Sequence, residues 1–301
     1  MFESTRKEAQ QEKHDIICYL ESNTALNKKD GLIVGFTGTP GAGKSSLIAE
    51  LSKHLLSVHS NLTLAVLAVD PSSQISGGAI LGDRTRMHLG SKQPRLFFRS
   101  QASNNELGGV TQNTYQATRL LRHFFDFIFI ETVGIGQNEV DIQYMTDHTF
   151  LVMQPLAGDQ IQFMKCGIME IPDSFIVNKC DEEKLARSSY HMLRTSLKQA
   201  RILDLNEKDD YKQASRDNVF MTSAFKHLGF EPLAEHILGL SSHQDSQNKR
   251  DEFYLRKHIQ TAFGKYGLSL YQKMDLPLDW ASLTYESREE YFHQKIHELL
   301  P

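Results

Sequence analysis

Gly38-Thr39-Pro40-Gly41-Ala42-Gly43-Lys44-Ser45 is a GxxxxGK[ST] run, and Ser46 follows it. Glycines at this spacing let successive backbone N–H groups turn inward on a polyphosphate, and a helix starting at the run's end adds the positive end of its dipole. Lys44 then holds the β- and γ-phosphates. Ser45 offers a hydroxyl to Mg²⁺, which takes most of its octahedral shell from water and phosphate oxygens. The flanks are those the motif requires. Leu32, Ile33 and Val34 precede it as a strand, while Leu47, Leu51 and Leu55 follow at i, i+4 and i+8 on one helical face.

Three further stretches carry chemistry that suits a nucleotide. Asn178-Lys179-Cys180-Asp181 follows the apolar run Ser174-Phe175-Ile176-Val177. An aspartate there accepts from the N1–H and N2–H₂ of guanine, donors that adenine does not offer in that position. Ser223 and Ala224, after a later strand, complete the base pocket if a backbone N–H meets the guanine O6. In Phe127-Ile128-Phe129-Ile130-Glu131-Thr132-Val133-Gly134, a buried strand delivers a carboxylate and then a glycine towards the phosphates. Glu131 can hold Mg²⁺ directly or through a water, and the Gly134 N–H can sense the γ-phosphate. Gln137, shortly beyond, is a candidate for orienting the attacking water or an ordinary loop amide. The glycine-rich segment from Asp70 to Met87 contains Asp83, Arg84 and Arg86. Its two carboxylates can close on Mg²⁺ and the γ-phosphate and release after hydrolysis. The two arginines fit charge stabilisation and surface ion pairs equally well.

The elements that must position these residues read as short apolar runs alternating with amphipathic ones, the pattern of strand–helix–strand units. Strands are predicted over 32–36, 62–69, 96–98, 127–131, 149–153, 174–178 and 219–222. Helices are predicted over 44–57, 114–123, 139–145, 160–168, 182–200 and 232–238. The fold class is therefore α/β, a mostly parallel central sheet with helices on both faces. In such sheets ligands sit beyond the carboxyl ends of the strands, where each motif above falls. Residues 1–30 form an N-terminal helical extension with Ile16, Ile17, Tyr19 and Leu20 as its buried stripe, 31–240 the nucleotide-binding domain, and 241–301 a C-terminal helical extension broken at Gly264, Gly267 and the Pro277 region.

Composition narrows the class. The 301 residues carry a formal net charge of -4, with no compact Lys/Arg stripe, so nucleic acid is not an expected partner. Cys18, Cys166 and Cys180 are scattered, which favours neither a disulfide framework nor a CxxC metal site. No apolar run approaches the roughly 18 residues of a membrane span, and the polar start lacks a signal-peptide core. The expected place is the cytoplasm, away from membranes.

Longer motifs carry a family resemblance. Val69-Asp70-Pro71-Ser72-Ser73, Gly77-Gly78, Ile80-Leu81-Gly82-Asp83-Arg84-Thr85-Arg86-Met87 and Glu131-Thr132-Val133-Gly134-Ile135-Gly136-Gln137-Asn138-Glu139 resemble the MeaB/ArgK type of P-loop GTPase, as do Phe98-Arg99-Ser100, Leu107-Gly108-Gly109 and Leu156-Ala157-Gly158-Asp159. The similarity runs over about 31–240. It implies a homodimeric chaperone whose GTP binding and slow hydrolysis to GDP gate adenosylcobalamin loading into, and protect, a methylmalonyl-CoA mutase-like acyl-CoA mutase. By the same resemblance Lys44, Ser45, Asp70, Asp83 and Glu131 serve Mg²⁺ and hydrolysis, and 154–165 form a switch that responds to the mutase. The chain departs from the family in its short N-terminal region, in Phe225-Lys226-His227 after Ser-Ala, and in a tail without a matching motif. Two other classes share the chemistry. A nickel-insertion GTPase would bring a tight Cys/His cluster, which the spacing of the 13 histidines does not show, and a P-loop phosphotransferase would need an acceptor pocket with a general base.

Overall fold

Buried strands sandwiched between helices need apolar side chains on both faces, and the alternation along each strand divides those side chains between two layers. A computed structural model describes residues 7–22, 29–70, 93–102, 112–132, 140–155, 172–204, 219–241 and 244–299. In chain order the elements are α1 (Lys7–Ser22), β1 (Leu32–Gly38), α2 (Lys44–Val58), β2 (Leu64–Asp70), β3 (Leu96–Ala102), α3 (Gln112–Arg122), β4 (Phe127–Glu131), α4 (Val140–Gln143), β5 (His148–Met153), β6 (Ser174–Val177), α5 (Glu183–Asp204), β7 (Val219–Met221), α6 (Phe230–Leu238), α7 (Gln244–Lys273), a 3₁₀ turn (Trp280–Ser282) and α8 (Tyr285–Leu299). They fall into two compact units.

The larger unit, Leu32–Val110 with Phe125–Ser241, holds the sheet. Among the described residues its seven strands run in the order β3-β2-β4-β1-β5-β6-β7, every pair parallel. Leu32, Val34 and Phe36 of β1 join Phe129 and Phe150 in one core under α2 and α6. Leu151, Phe175 and Val177 pack with Leu193 of α5 in another. The Phe36 ring lies 5.2 Å from Phe129 and 5.4 Å from Phe150, which locks β1 between β4 and β5. Gly35 is obligatory for a packing reason: a Cβ there would come within 2.8 Å of Ile142 and Thr146 side chains beside α4. β2 and β3 lie outward of β1 on one side, β4 returns to fill the gap between β1 and β2, and β5, β6 and β7 run to the other side. The loop after β1 thus leaves the sheet where its winding reverses, the position at which such sheets bind ligands.

The smaller unit is helical: Met1–Gly31, Thr111–Phe124 and Ser242–Pro301. Its grouping differs from the three-segment division read from the sequence, because α3, drawn from the middle of the nucleotide-binding domain, clusters with the terminal helices. Tyr115 of α3 stacks on Tyr254 at 4.1 Å, meets Tyr285 edge-on at 5.6 Å, and donates its hydroxyl to the Asp251 carboxylate. Burial, and then the Asp251 charge, raise the Tyr115 pKa well above its usual value. Arg119 and Glu286 form an ion pair, 5% and 3% exposed. These partners lie far apart in sequence, so no local period could have joined them.

Other departures have local causes. β3 runs on from Phe98 to Ala102 because Arg99, Ser100 and Gln101 pair in register with Leu67, Ala68 and Val69 of β2, which carries the strand past its apolar residues. In α1 Ile17 is 1% exposed but Tyr19 is 59% exposed; two residues apart on a helix is about 200° around the axis, so Tyr19 does not share the buried stripe. α7 is broken at Gly264, where φ is 63°. The helix expected over 160–168 lies outside the described residues. No helix among the described residues is long and apolar enough to cross a membrane.

Removing one member of a buried ion pair strands the other charge. Arg119→Met should cost about 3–5 kcal/mol, and adding Glu286→Leu should recover most of it. Chemical denaturation of the two variants checks this.

Candidate functional site

Gly38, Gly41 and Gly43 of the phosphate loop all have positive φ, and at two of them a close approach also excludes a side chain. Gly38 has φ 141°, and a Cβ on it would lie 1.9 Å from the Val152 carbonyl oxygen of β5. Gly43 has φ 82°, and its Cβ would meet the Asn178 side-chain nitrogen at 2.7 Å. Gly43 also caps α2, its carbonyl accepting from the Leu47 N–H at 2.9 Å. The helix therefore starts at Lys44, with its N-terminus at the loop. Leu47, Leu51 and Leu55 are all buried beneath it, as their spacing predicts. Lys44 is 6% exposed, and its ammonium donates to the carbonyls of Gly38 at 2.9 Å and Thr39 at 3.3 Å.

Glu131 ends β4 directly beside Phe36 of β1 and is 6% exposed. The Ser45 hydroxyl donates to its carboxylate at 2.6 Å. Two oxygen ligands, one from the first turn of α2 and one from the end of β4, thus converge next to the phosphate loop, a set that suits Mg²⁺. Thr39 Oγ1 is buried with no hydrogen-bond partner among the described residues. Asp70 ends β2, one strand further out. Asp83, Gly134 and Gln137, together with Arg84 and Arg86, lie outside the described residues, as do residues 156–165 of the expected mutase switch.

The second loop, after β6, is joined to the first by Asn178. This side chain is 1% exposed; its amide donates to the carbonyls of Ala42 at 2.9 Å and Gly43 at 3.3 Å, and its oxygen accepts from the Thr222 hydroxyl at 3.1 Å. Asn178 therefore positions the loops as well as standing in the base motif. Lys179 has φ 61° and lines the cleft, its amine reaching Gln154 at 3.1 Å. Asp181 accepts from the Ser223 hydroxyl, which in turn accepts from the Lys226 N–H at 2.9 Å. The Thr222 and Ser223 N–H groups are spent on the carbonyls of Val177 and Leu228. Of the stretch 222–224, the Ala224 N–H is the one not spent in this way among the described residues. Cys180 is a neutral thiol: burial pushes its pKa up to about 11, and it donates to the Val177 carbonyl at 3.1 Å.

A cleft of about 430 Å³ is bordered by Gly43 and Ser46 at the close of the phosphate loop and by Asn178, Lys179, Asp181, Ala224 and Phe225. In the sequence Phe225-Lys226-His227 stands out only as a departure from the family pattern. In the structure the Lys226 amine donates to the Asp181 carbonyl, His227 lies 2.9 Å from the Glu50 carboxylate, and the Phe225 ring stands 83% exposed on the cleft wall. An aromatic three residues past a strand end could have been flagged as a platform for a base; its neighbours' contacts could not, since Glu50 lies in α2.

Replacing Asn178 by Ala orphans two loop carbonyls and the Thr222 hydroxyl. The expected loss is about 1–3 kcal/mol in urea unfolding, with nucleotide affinity falling alongside it.

Comparison with known proteins places this geometry in context. The family "Methylmalonyl Co-A mutase-associated GTPase MeaB" matches residues 1–264. A "Putative GTPase" of Pyrococcus abyssi is 42% identical over 207 residues, 68% of this chain and 61% of that protein. The "Methylmalonic aciduria type A homolog, mitochondrial" of Caenorhabditis briggsae is 40% identical over 163 residues, 53% of this chain and 39% of that protein. The matched part thus spans less than two thirds of these relatives' own length. Among solved structures, the "LAO/AO transport system kinase" superposes with TM-score 0.61 over 98% of this chain and 90% of that one, at 22% identity, a likeness of fold.

Proposed function

This chain belongs to the MeaB family of methylmalonyl Co-A mutase-associated GTPases, and on that premise we propose that it binds and hydrolyses GTP to gate cofactor loading and protection of a cobalamin-dependent acyl-CoA mutase. The observation that carries the guanine-nucleotide part is a cleft bordered both by Gly43 and Ser46 at the close of the phosphate loop and by Asp181 and Ala224. A phosphate reader and a guanine reader facing one hollow is the arrangement that a GTP site requires.

In this reading the N–H groups at the start of α2 and the Lys44 ammonium neutralise the β- and γ-phosphates. Ser45 and Glu131 hold Mg²⁺, which when bound supplies positive charge against the phosphate oxygens. Asp181 accepts the guanine N1–H and N2–H₂, the Ser223 hydroxyl keeps its carboxylate oriented, and the Ala224 N–H meets O6. Asp70, Asp83, Gly134 and Gln137 keep the switch and hydrolysis roles implied by family likeness, and Gln154 begins the stretch that answers to the mutase. The active form is a homodimer. Relatives named for methylmalonic aciduria support the choice of an acyl-CoA mutase as partner.

Two measurements test the proposal. Asp181→Asn should weaken GTP and improve xanthosine triphosphate, because an amide donates where guanine also donates while xanthine offers a carbonyl; unchanged GTP affinity would remove the base assignment. GTP turnover should rise when a cobalamin-dependent acyl-CoA mutase from the same organism is added. If no complex forms and the rate stays flat, the partner assignment fails while the nucleotide site stands.

A further inference from the structure

The histidines, which the sequence leaves scattered, include two that the helical unit brings together with a carboxylate. His258 lies on α7, and Glu289 and His293 lie on α8. Glu289 and His293 are four residues apart and so share one helix face. His258 Nε2 stands 3.2 Å from His293 Nε2 and 3.2 Å from a Glu289 carboxylate oxygen, and the ligand atoms of all three lie within 4.8 Å of one another. We infer that His258, Glu289 and His293 form a binding site for one zinc-type divalent transition-metal ion.

The distances carry the inference. Around a tetrahedral zinc with bonds of about 2.0–2.1 Å, neighbouring ligand atoms are about 3.3 Å apart; the two edges that meet at His258 are that length. As neutral imidazoles, His258 and His293 would turn two Nε2 atoms on one shared proton, with the Glu289 carboxylate competing for it. A single cation receives all three lone pairs at once. Two imidazoles and one carboxylate favour zinc, cobalt or nickel, whereas Mg²⁺ prefers oxygen ligands throughout, so the donor set separates this site chemically from Ser45 and Glu131. Three protein ligands leave a fourth position for water, and side-chain exposures of 17% for His258 and 22% for Glu289 give an ion a way in.

The rings are held for the task. Phe263 packs edge-on against His293 at 5.3 Å, and the helix break at Gly264 follows immediately. A bound ion would fasten α8 to α7, so its binding energy adds to the stability of the helical unit. Glu289 and His293 lie beyond residue 264, where the family match ends.

The test uses the full-length chain without an affinity tag, stripped with chelator and titrated with Co²⁺ in excess Mg²⁺. The expected result is one equivalent of Co²⁺ with the visible absorption of a tetrahedral nitrogen–oxygen site, displaced by Zn²⁺, and a higher unfolding temperature with Zn²⁺ than without it. Glu289→Gln and His293→Gln, each checked for folding by circular dichroism, should weaken binding by about a hundredfold and abolish the thermal shift. Ser45→Ala should leave both readouts unchanged. The absence of stoichiometric binding overturns the inference. So does binding that survives His293→Gln, or binding that is lost in Ser45→Ala and so belongs at the nucleotide site.

Discussion

The side-chain amide of Asn178 is the join on which the candidate site depends. It leaves the end of β6, crosses to the loop after β1, and donates to the Ala42 and Gly43 carbonyls while Thr222 holds its oxygen. An aspartate could not replace it, since a carboxylate would set acceptor against acceptor. The need for Gly43 follows from the same contact, because any side chain there would displace the amide. One residue thereby fixes the spacing between the glycine-rich loop after β1 and the loop after β6.

The sheet makes this join possible. β1 lies between β4 and β5, clamped by the Phe36, Phe129 and Phe150 rings, so its loop opens where strands diverge to both sides. β4 brings Glu131 to Ser45 from one side, and β5 and β6 carry the base motif from the other. The helical unit is built differently. Buried tyrosines, a tyrosine–carboxylate bond and an Arg119–Glu286 pair specify its packing through polar contacts. Such contacts are costly to leave half-made, which gives that unit its specificity of arrangement.

Much of this was legible beforehand because strands and loops announce themselves locally. The apolar run 127–131 is β4 residue for residue, and Leu47, Leu51 and Leu55 are the buried face of α2. The placement of Lys44 and Ser45 after β1, of Glu131 at the end of β4 and of Asp181 after β6 was readable from residue type and position in the pattern. What escaped were facts set by partners remote in the chain. Tyr19 looked apolar enough for the α1 stripe yet faces away from it, β3 continued through polar residues because β2 paired with them, and α3 joined helices more than a hundred residues later.

By itself the sequence determined the parallel α/β architecture and the positions of the glycine-rich loop after β1 and of the Asn178–Asp181 stretch after β6, because each rests on a short period or on a motif whose members are neighbours. Only the tertiary structure decided that Asn178 is a tether, that Ser223 serves Asp181 while the N–H groups of Thr222 and Ser223 are spent, and that His258 meets Glu289 and His293. Those outcomes depend on distances between segments dozens of residues apart, which are set when helices and strands pack and which no local pattern encodes.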